Sequence, residues 1–113
     1  MPRIAVSADA APGKVVEAAH RLGFHIRTAR NRRRLRQAEL ARRAGITVQT
    51  LRRVESGSLG TGIGAYLAAL WAMGLDSAIG ALASPDTDVE GKTLEAARRG
   101  KRVRPQKRLD DDF

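Results

Sequence analysis

Three observations predict an all-α fold of five short helices, preceded by a loose arm and followed by a charged tail. Apolar residues recur at three- and four-residue spacing through most of the first eighty positions. The strand signal is almost absent. Glycine and serine punctuate the periodic segments at Gly45, Ser56-Gly57 and the run after it. The chain has 113 residues, enough for one small domain with tails. Its 42% hydrophobic content is sufficient for a core, and 4% aromatics make that core aliphatic, rich in Leu and Ala.

Each element follows from local signals. Residues 1–13 are Ala/Ser/Pro/Asp-rich, end in Pro12-Gly13, and read as a flexible arm. From Lys14 to about Arg34, Val15, Val16, Ala19, Leu22, Phe24, Ile26, Ala29 and Leu35 recur at roughly helical intervals, as one long helix or two joined near Gly23. A second helix runs from Gln37 to Ala44 and stops at Gly45, and a third from Val48 to Glu55 stops at Ser56-Gly57. After a Gly/Ser loop, a fourth runs from about Ile63 to Met73 and a short fifth from Asp76 to Leu82. The domain is therefore set at 14–83. Residues 84–113, beyond Ser84-Pro85, read as a largely disordered charged tail with a helical turn at Thr93 to Arg99.

Composition excludes several classes. With no cysteine there is no disulfide framework, thiolate zinc site or cysteine nucleophile. No apolar run approaches the roughly 18–20 residues of a membrane span, and MPRIAVSADAAPGK lacks the charged and apolar regions of a signal peptide. A soluble intracellular protein is the expectation. The net charge of +9 points to an anionic partner, with a solvated basic surface as the plainer alternative. That charge is distributed unevenly. Residues 21–57 hold eleven arginines against Glu39 and Glu55, residues 58–97 are net acidic, residues 98–109 hold seven basic groups and no acid, and Asp110, Asp111 and Asp112 close the chain before Phe113. The first basic block is all arginine, whose planar fork suits phosphate and guanine.

The two short helices joined by a glycine turn carry the strongest signal. Leu35 and Leu40 stand at hydrophobic-staple spacing, and Glu39 is placed to reach back to the Arg36 backbone N–H. Arg36 occupies a cap position where Ser or Thr is preferred, a loss of roughly 0.5–2 kcal/mol. Ala41 lets two backbones approach, Gly45 suits a left-handed turn, and Thr47 is a natural N-cap. With Ile46, Leu51 and Val54 inside, helical spacing puts Val48, Gln49, Arg52 and Arg53 outside on one face. Glutamine pairs with adenine, arginine forks onto guanine, and valine packs on a thymine methyl, so these four are the candidate base contacts.

Ala41, Gly45, Ile46, Leu51 and Val54, with Gln37 opening the second helix and Glu55-Ser56-Gly57 closing the third, resemble the helix-turn-helix of the Cro/cI (XRE) repressors. The similarity runs from near Phe24 to Leu82, with the helix-turn-helix itself at 37–56. It implies a five-helix repressor-like domain whose third helix enters the major groove, usually as a homodimer on a palindromic operator in double-stranded DNA. By position it implies base contacts from Val48, Gln49 and Arg53, phosphate contacts from Gln37 and Thr47, and an internal ion pair between Arg30 and Glu55. Arg36 departs from the family's usual Ser/Thr and Arg34 from its usual Gly, and both are assigned to phosphate.

The remaining candidates are weaker. Gly57, Gly60, Gly62 and Gly64 form a connector rather than a phosphate loop, since no strand precedes them and no Lys-Ser/Thr follows. His20 and His25 have no cysteine or paired carboxylate at ligand spacing, so no metal is expected. Trp71, Met73, Leu75, Ile79 and Leu82 are core by default, with Trp71, Leu75, Ile79 and Leu82 the alternative dimer seam. No nucleophile–base–orienter set is visible, so neither catalysis nor a cofactor is expected.

The tail GKRVRPQKRLDDDF, basic then acidic then aromatic, resembles the C-terminus of HipB-like antitoxins of type II toxin–antitoxin systems, whose partners are HipA-type kinase toxins. The resemblance implies a cytoplasmic, nucleoid-associated bacterial repressor that binds both its operator and a kinase-like toxin. The alternatives are a stand-alone phage-type repressor, a protein-interaction module using the helix-turn-helix as scaffold, and, less favoured without an aromatic stacking platform, an RNA-binding module.

Overall fold

The computed structural model describes residues 10–101, and its first helix, α1, spans Gly13–Arg32 without a break at Gly23. It is followed by α2 (Gln37–Ala44), α3 (Val48–Glu55) and α4 (Ile63–Ala72), then a 3₁₀ helix at Asp76–Ala81, then α5 (Val89–Lys101). No strand occurs among the described residues, and the fold they form is all-α. It divides into two compact units, Met1–Ile79 and Gly80–Phe113. Expectations for residues 1–9 of the arm and 102–113 of the tail, Asp110 to Phe113 included, lie outside the described residues.

The first unit is built on one repeated way of stopping a helix. After each of α1 to α4 a residue takes the left-handed conformation, with φ of 54° at Arg34, 73° at Gly45, 75° at Gly57 and 74° at Gly74. In each case the next residue's N–H reaches five residues back: Leu35 to Arg30 at 3.2 Å, Ile46 to Ala41 at 3.0 Å, Ser58 to Arg53 at 3.0 Å and Leu75 to Leu70 at 2.8 Å. This bond satisfies a carbonyl that the helix end would otherwise orphan. Three of the four stops use glycine, which adopts that conformation without a Cβ penalty; the first uses Arg34. The left-handed turn at Arg34 is why α1 ends at Arg32 rather than at about Arg34.

The core is drawn from all four helices: Ile26 of α1, Leu40 and Ala41 of α2, Leu51 and Val54 of α3, and Tyr66 and Ala69 of α4, with Met73 just beyond it. Burial of each large aliphatic side chain contributes roughly 1.5–3 kcal/mol. Ala41, 2% exposed, supplies no bulk and so lets α2 settle against its neighbours. Tyr66 donates its hydroxyl hydrogen to the Ser58 carbonyl at 2.7 Å, fixing α4 to the loop after α3. Burial raises the Tyr66 pKa above its ordinary value.

Three expectations are corrected here. α4 is apolar on every side, so its pattern names no inner face. It buries Tyr66 and Ala69 and leaves Trp71 61% exposed, so Trp71 is not core; Leu75 is exposed as well. The fifth helix is a six-residue 3₁₀ turn, confined between the stop at Gly74 and a second left-handed residue, Ala83. In the second unit, the turn expected at Thr93 to Arg99 is part of the thirteen-residue α5. Asp88 caps that helix, accepting from the Gly91 N–H at 3.0 Å, and Glu95 pairs with Arg99 at 3.0 Å.

Candidate nucleic-acid interface

The site begins with how α3 is started. Thr47 has extended backbone, and its hydroxyl oxygen accepts the Thr50 N–H at 3.0 Å, satisfying one of the orphan donors of the first turn. From there, Leu51 and Val54 are fully buried, Ile46 is partly buried against the same core, and Gln49, Arg52 and Arg53 are exposed. Val48 is half-buried and packs on the core, so it does not share the open exposure of the other three. Neighbouring Arg52 and Arg53 diverge. Arg53 lines a depression with Thr50, Ser58, Gly62 and Gly64, whereas Arg52 lines one with Arg27, Arg30, Gln37, Glu55 and Ser56.

The end of α3 is anchored from within. Arg30 Nε donates to Glu55 Oε2 at 2.6 Å and Arg30 Nη2 to Glu55 Oε1 at 3.1 Å, a bidentate pair with side chains 11% and 5% exposed. Arg30 Nη1 also donates to the Leu35 carbonyl at 2.9 Å, bracing the turn after Arg34. The structure therefore joins Arg30 and Glu55 and ties α1, the α1–α2 turn and α3 together through a single guanidinium. Gln37, the first residue of α2, adds a third tie, its Nε2 donating to Glu55 Oε1 at 3.0 Å.

The start of α2 has half of a capping box. Glu39 Oε1 accepts the Arg36 backbone N–H at 2.9 Å, while the Arg36 side chain offers no acceptor in return. That hydrogen bond is the main reason Glu39 lies below the ordinary carboxylate range; burial opposes it, and the guanidiniums of Arg36, Arg43 and Arg42 add to it. Arg34 and Arg36 are both exposed beside this helix start. The surface around Gln37 is thus strongly cationic, with its carboxylates already engaged.

A family model described as a helix-turn-helix domain matches residues 21–78, half of the chain. The chain belongs to the helix-turn-helix domain family. No curated protein and no solved structure matches it. In this helix-turn-helix protein the matched segment runs from Arg21 in α1 into the first half of the 3₁₀ turn, and so contains every residue of the interface described above.

Other residues fall elsewhere. Of the candidate seam, Trp71 and Leu75 are exposed and Ile79 is half-buried in the first unit, while Leu82 is exposed in the second. Among the described residues no helix is long and apolar enough to cross a membrane. Sequence reasoning missed Arg27, which lines the depression beside Arg52; its place three residues before Arg30, on the same face of α1, was the available signal. It named Gly23 and Gly57 only as a possible joint and a helix stop, and missed the close packing at both. A Cβ at Gly23 would lie 2.6 Å from the Val54 carbonyl oxygen, and one at Gly57 2.6 Å from that of Ala19, so these glycines let α1 and the end of α3 touch.

Proposed function

We propose that this helix-turn-helix protein is a sequence-specific transcriptional repressor that binds a palindromic operator as a homodimer. In this reading it serves as the antitoxin of a two-gene module, binding a kinase-like toxin and occluding their shared promoter. It works in the bacterial cytoplasm at the nucleoid, with no catalytic step of its own. The observation that carries DNA recognition is the exposed Gln49 and Arg53 face of a helix whose other side is locked by Leu51, Val54 and the Arg30–Glu55 pair. Rigid presentation of a few forked donors is what base readout requires. Phosphate contacts from Arg34, Arg36 and Thr47 position the dimer, and Trp71, Leu75 and Ile79 supply apolar surface for its seam.

The antitoxin role draws on the composition of the tail, with its basic block and its Asp110–Phe113 tip. It also draws on α5, which leaves Val89 and Leu94 exposed on a helix of the kind that protein partners cover. Selection of duplexes from a random library by the full-length protein tests the DNA reading. Recovery of two related half-sites 10–10.5 base pairs apart, centre to centre, or a multiple of that, is expected; no enrichment over the starting pool contradicts it. Co-purification with the product of the adjacent gene, from full-length and 1–85 chains, tests the antitoxin reading. Loss of that partner on truncation, with operator binding intact, is expected, and retention removes the tail from the account.

A further inference from the structure

Gln37 is held in one orientation by a group that leaves no choice. The Glu55 side chain is 5% exposed and its carboxylate can only accept, so the Gln37 amide must turn its NH2 inward, Nε2 to Oε1 at 3.0 Å. The amide oxygen then faces out. There Arg52 Nε donates to it at 3.4 Å. A path of hydrogen bonds thus leads from Arg30 through Glu55 and Gln37 to the exposed Arg52. It spends the Nε–H of Arg52, and among the described residues neither terminal nitrogen of the guanidinium has a hydrogen-bond partner.

From this geometry we propose that Arg52 is a phosphate clamp rather than a base reader, and that Gln37 is the residue that positions it. The inference rests on the DNA-binding reading of α3. Arg52 is drawn away from the Arg53 side of the helix, toward the start of α2 and toward Arg27. The depression there holds three guanidiniums to one carboxylate, and that carboxylate is already taken by Arg30 and Gln37, so the uncompensated charge is cationic. The two terminal nitrogens of a planar guanidinium fork match the two oxygens of a phosphate. Sequence spacing alone places Arg52 with Gln49 and Arg53, because it cannot register the pull of Gln37 fifteen residues earlier.

The test uses full-length protein and the duplex enriched from the random library, with a panel of its single-base variants. Arg52→Ala is expected to weaken binding by the same factor on every duplex, and to lower the log–log salt slope by about 0.9 per subunit. Gln37→Met, which keeps bulk and removes both polar ends, is expected to shift affinity in the same direction. The double variant is expected to bind no worse than Arg52→Ala alone. Thermal unfolding of each variant is read alongside, and both substitutions are expected to leave it within a few degrees of the parent. Relaxed preference at one base pair with an unchanged salt slope overturns the clamp, and additive losses overturn the positioning role. Failure of the parent protein to enrich any duplex overturns the DNA-binding reading and this inference with it.

Discussion

Gly23 and Gly57 face one another across the contact between α1 and the end of α3. A Cβ at Gly23 would meet the carbonyl oxygens of Val54 and Glu55 and the nitrogen of Gly57 at 2.6–2.7 Å, and a Cβ at Gly57 would meet the Ala19 carbonyl oxygen at 2.6 Å. These neighbours are backbone atoms, which cannot rotate aside. The two glycines therefore set how close α1 comes to α3. Gly23→Ala is expected to destabilise by about 1–3 kcal/mol, the usual range for overpacking. At Gly64, inside α4 with nothing within 4 Å, the same substitution is expected to stabilise by about 0.4–1 kcal/mol. Urea midpoints of the two variants, moving in opposite directions, check the contrast.

The left-handed stop at Arg34 is strained where its three counterparts are not. Holding a residue with a Cβ in that conformation costs roughly 1–2 kcal/mol, part of which glycine returns as lost chain entropy. Arg34→Gly is expected to raise stability by about 0.5–1 kcal/mol, and Gly45→Ala to lower it by about 1–2 kcal/mol. Thermal melts decide both. Arg34→Gly also removes one assigned phosphate contact, so the same variant should bind DNA more weakly while melting higher.

The Arg30–Glu55 pair is part of the frame of the site, being shielded from water at both ends. Removing one partner strands the other charge. Glu55→Leu or Arg30→Met alone is expected to cost about 3–5 kcal/mol, and the two together less than the sum. A double-mutant cycle on unfolding free energy reads the coupling, and strict additivity contradicts the pairing.

Two groups, Glu39 and Tyr66, make stability depend on pH. Glu39 has a folded pKa below its unfolded value, because the Arg36 N–H favours the carboxylate. Its contribution is complete above the unfolded pKa, about 4.3, and is lost as pH falls through the folded value. Tyr66 has a folded pKa above its unfolded value, because burial favours the neutral phenol. Its contribution is complete below about pH 10 and is lost as pH rises through the folded value. Glu39→Gln should therefore flatten the acid limb of a stability–pH profile, and Tyr66→Phe the alkaline limb.

The bounds of α2 and α3 were legible because strong local signals coincide there: a staple and Glu39 at one end, Gly45 and Thr47 between, Ser56-Gly57 at the other. Gly23 was not, because a glycine inside an apolar period reads equally as a joint or as a close contact, and only the fold shows α3 beside it. Spacing leaves Trp71 open between core and seam, because a helix apolar on every side has no periodic inner face, and its exposure removes only the core reading. The helical content of α5 was undercounted because Gly91 and Gly100 lower its propensity, while its Asp88 cap lies in a stretch that reads as a turn. The exposure of Gln49, Arg52 and Arg53 followed from spacing, but the side to which Arg52 turns depends on Gln37, which no local pattern connects to it.

The most direct measurement of the central claim, that the exposed side of α3 reads bases, is the specificity ratio of Gln49→Ala and Arg53→Ala on the selected operator and its single-base variants, with thermal unfolding of the same proteins. Each substitution is expected to cost about 1–3 kcal/mol per lost base contact in each half-site, relax the preference at that position, and leave the melting temperature unmoved. Unfolding with base preference intact would contradict the account, since it would mean that these side chains hold the fold rather than read the groove.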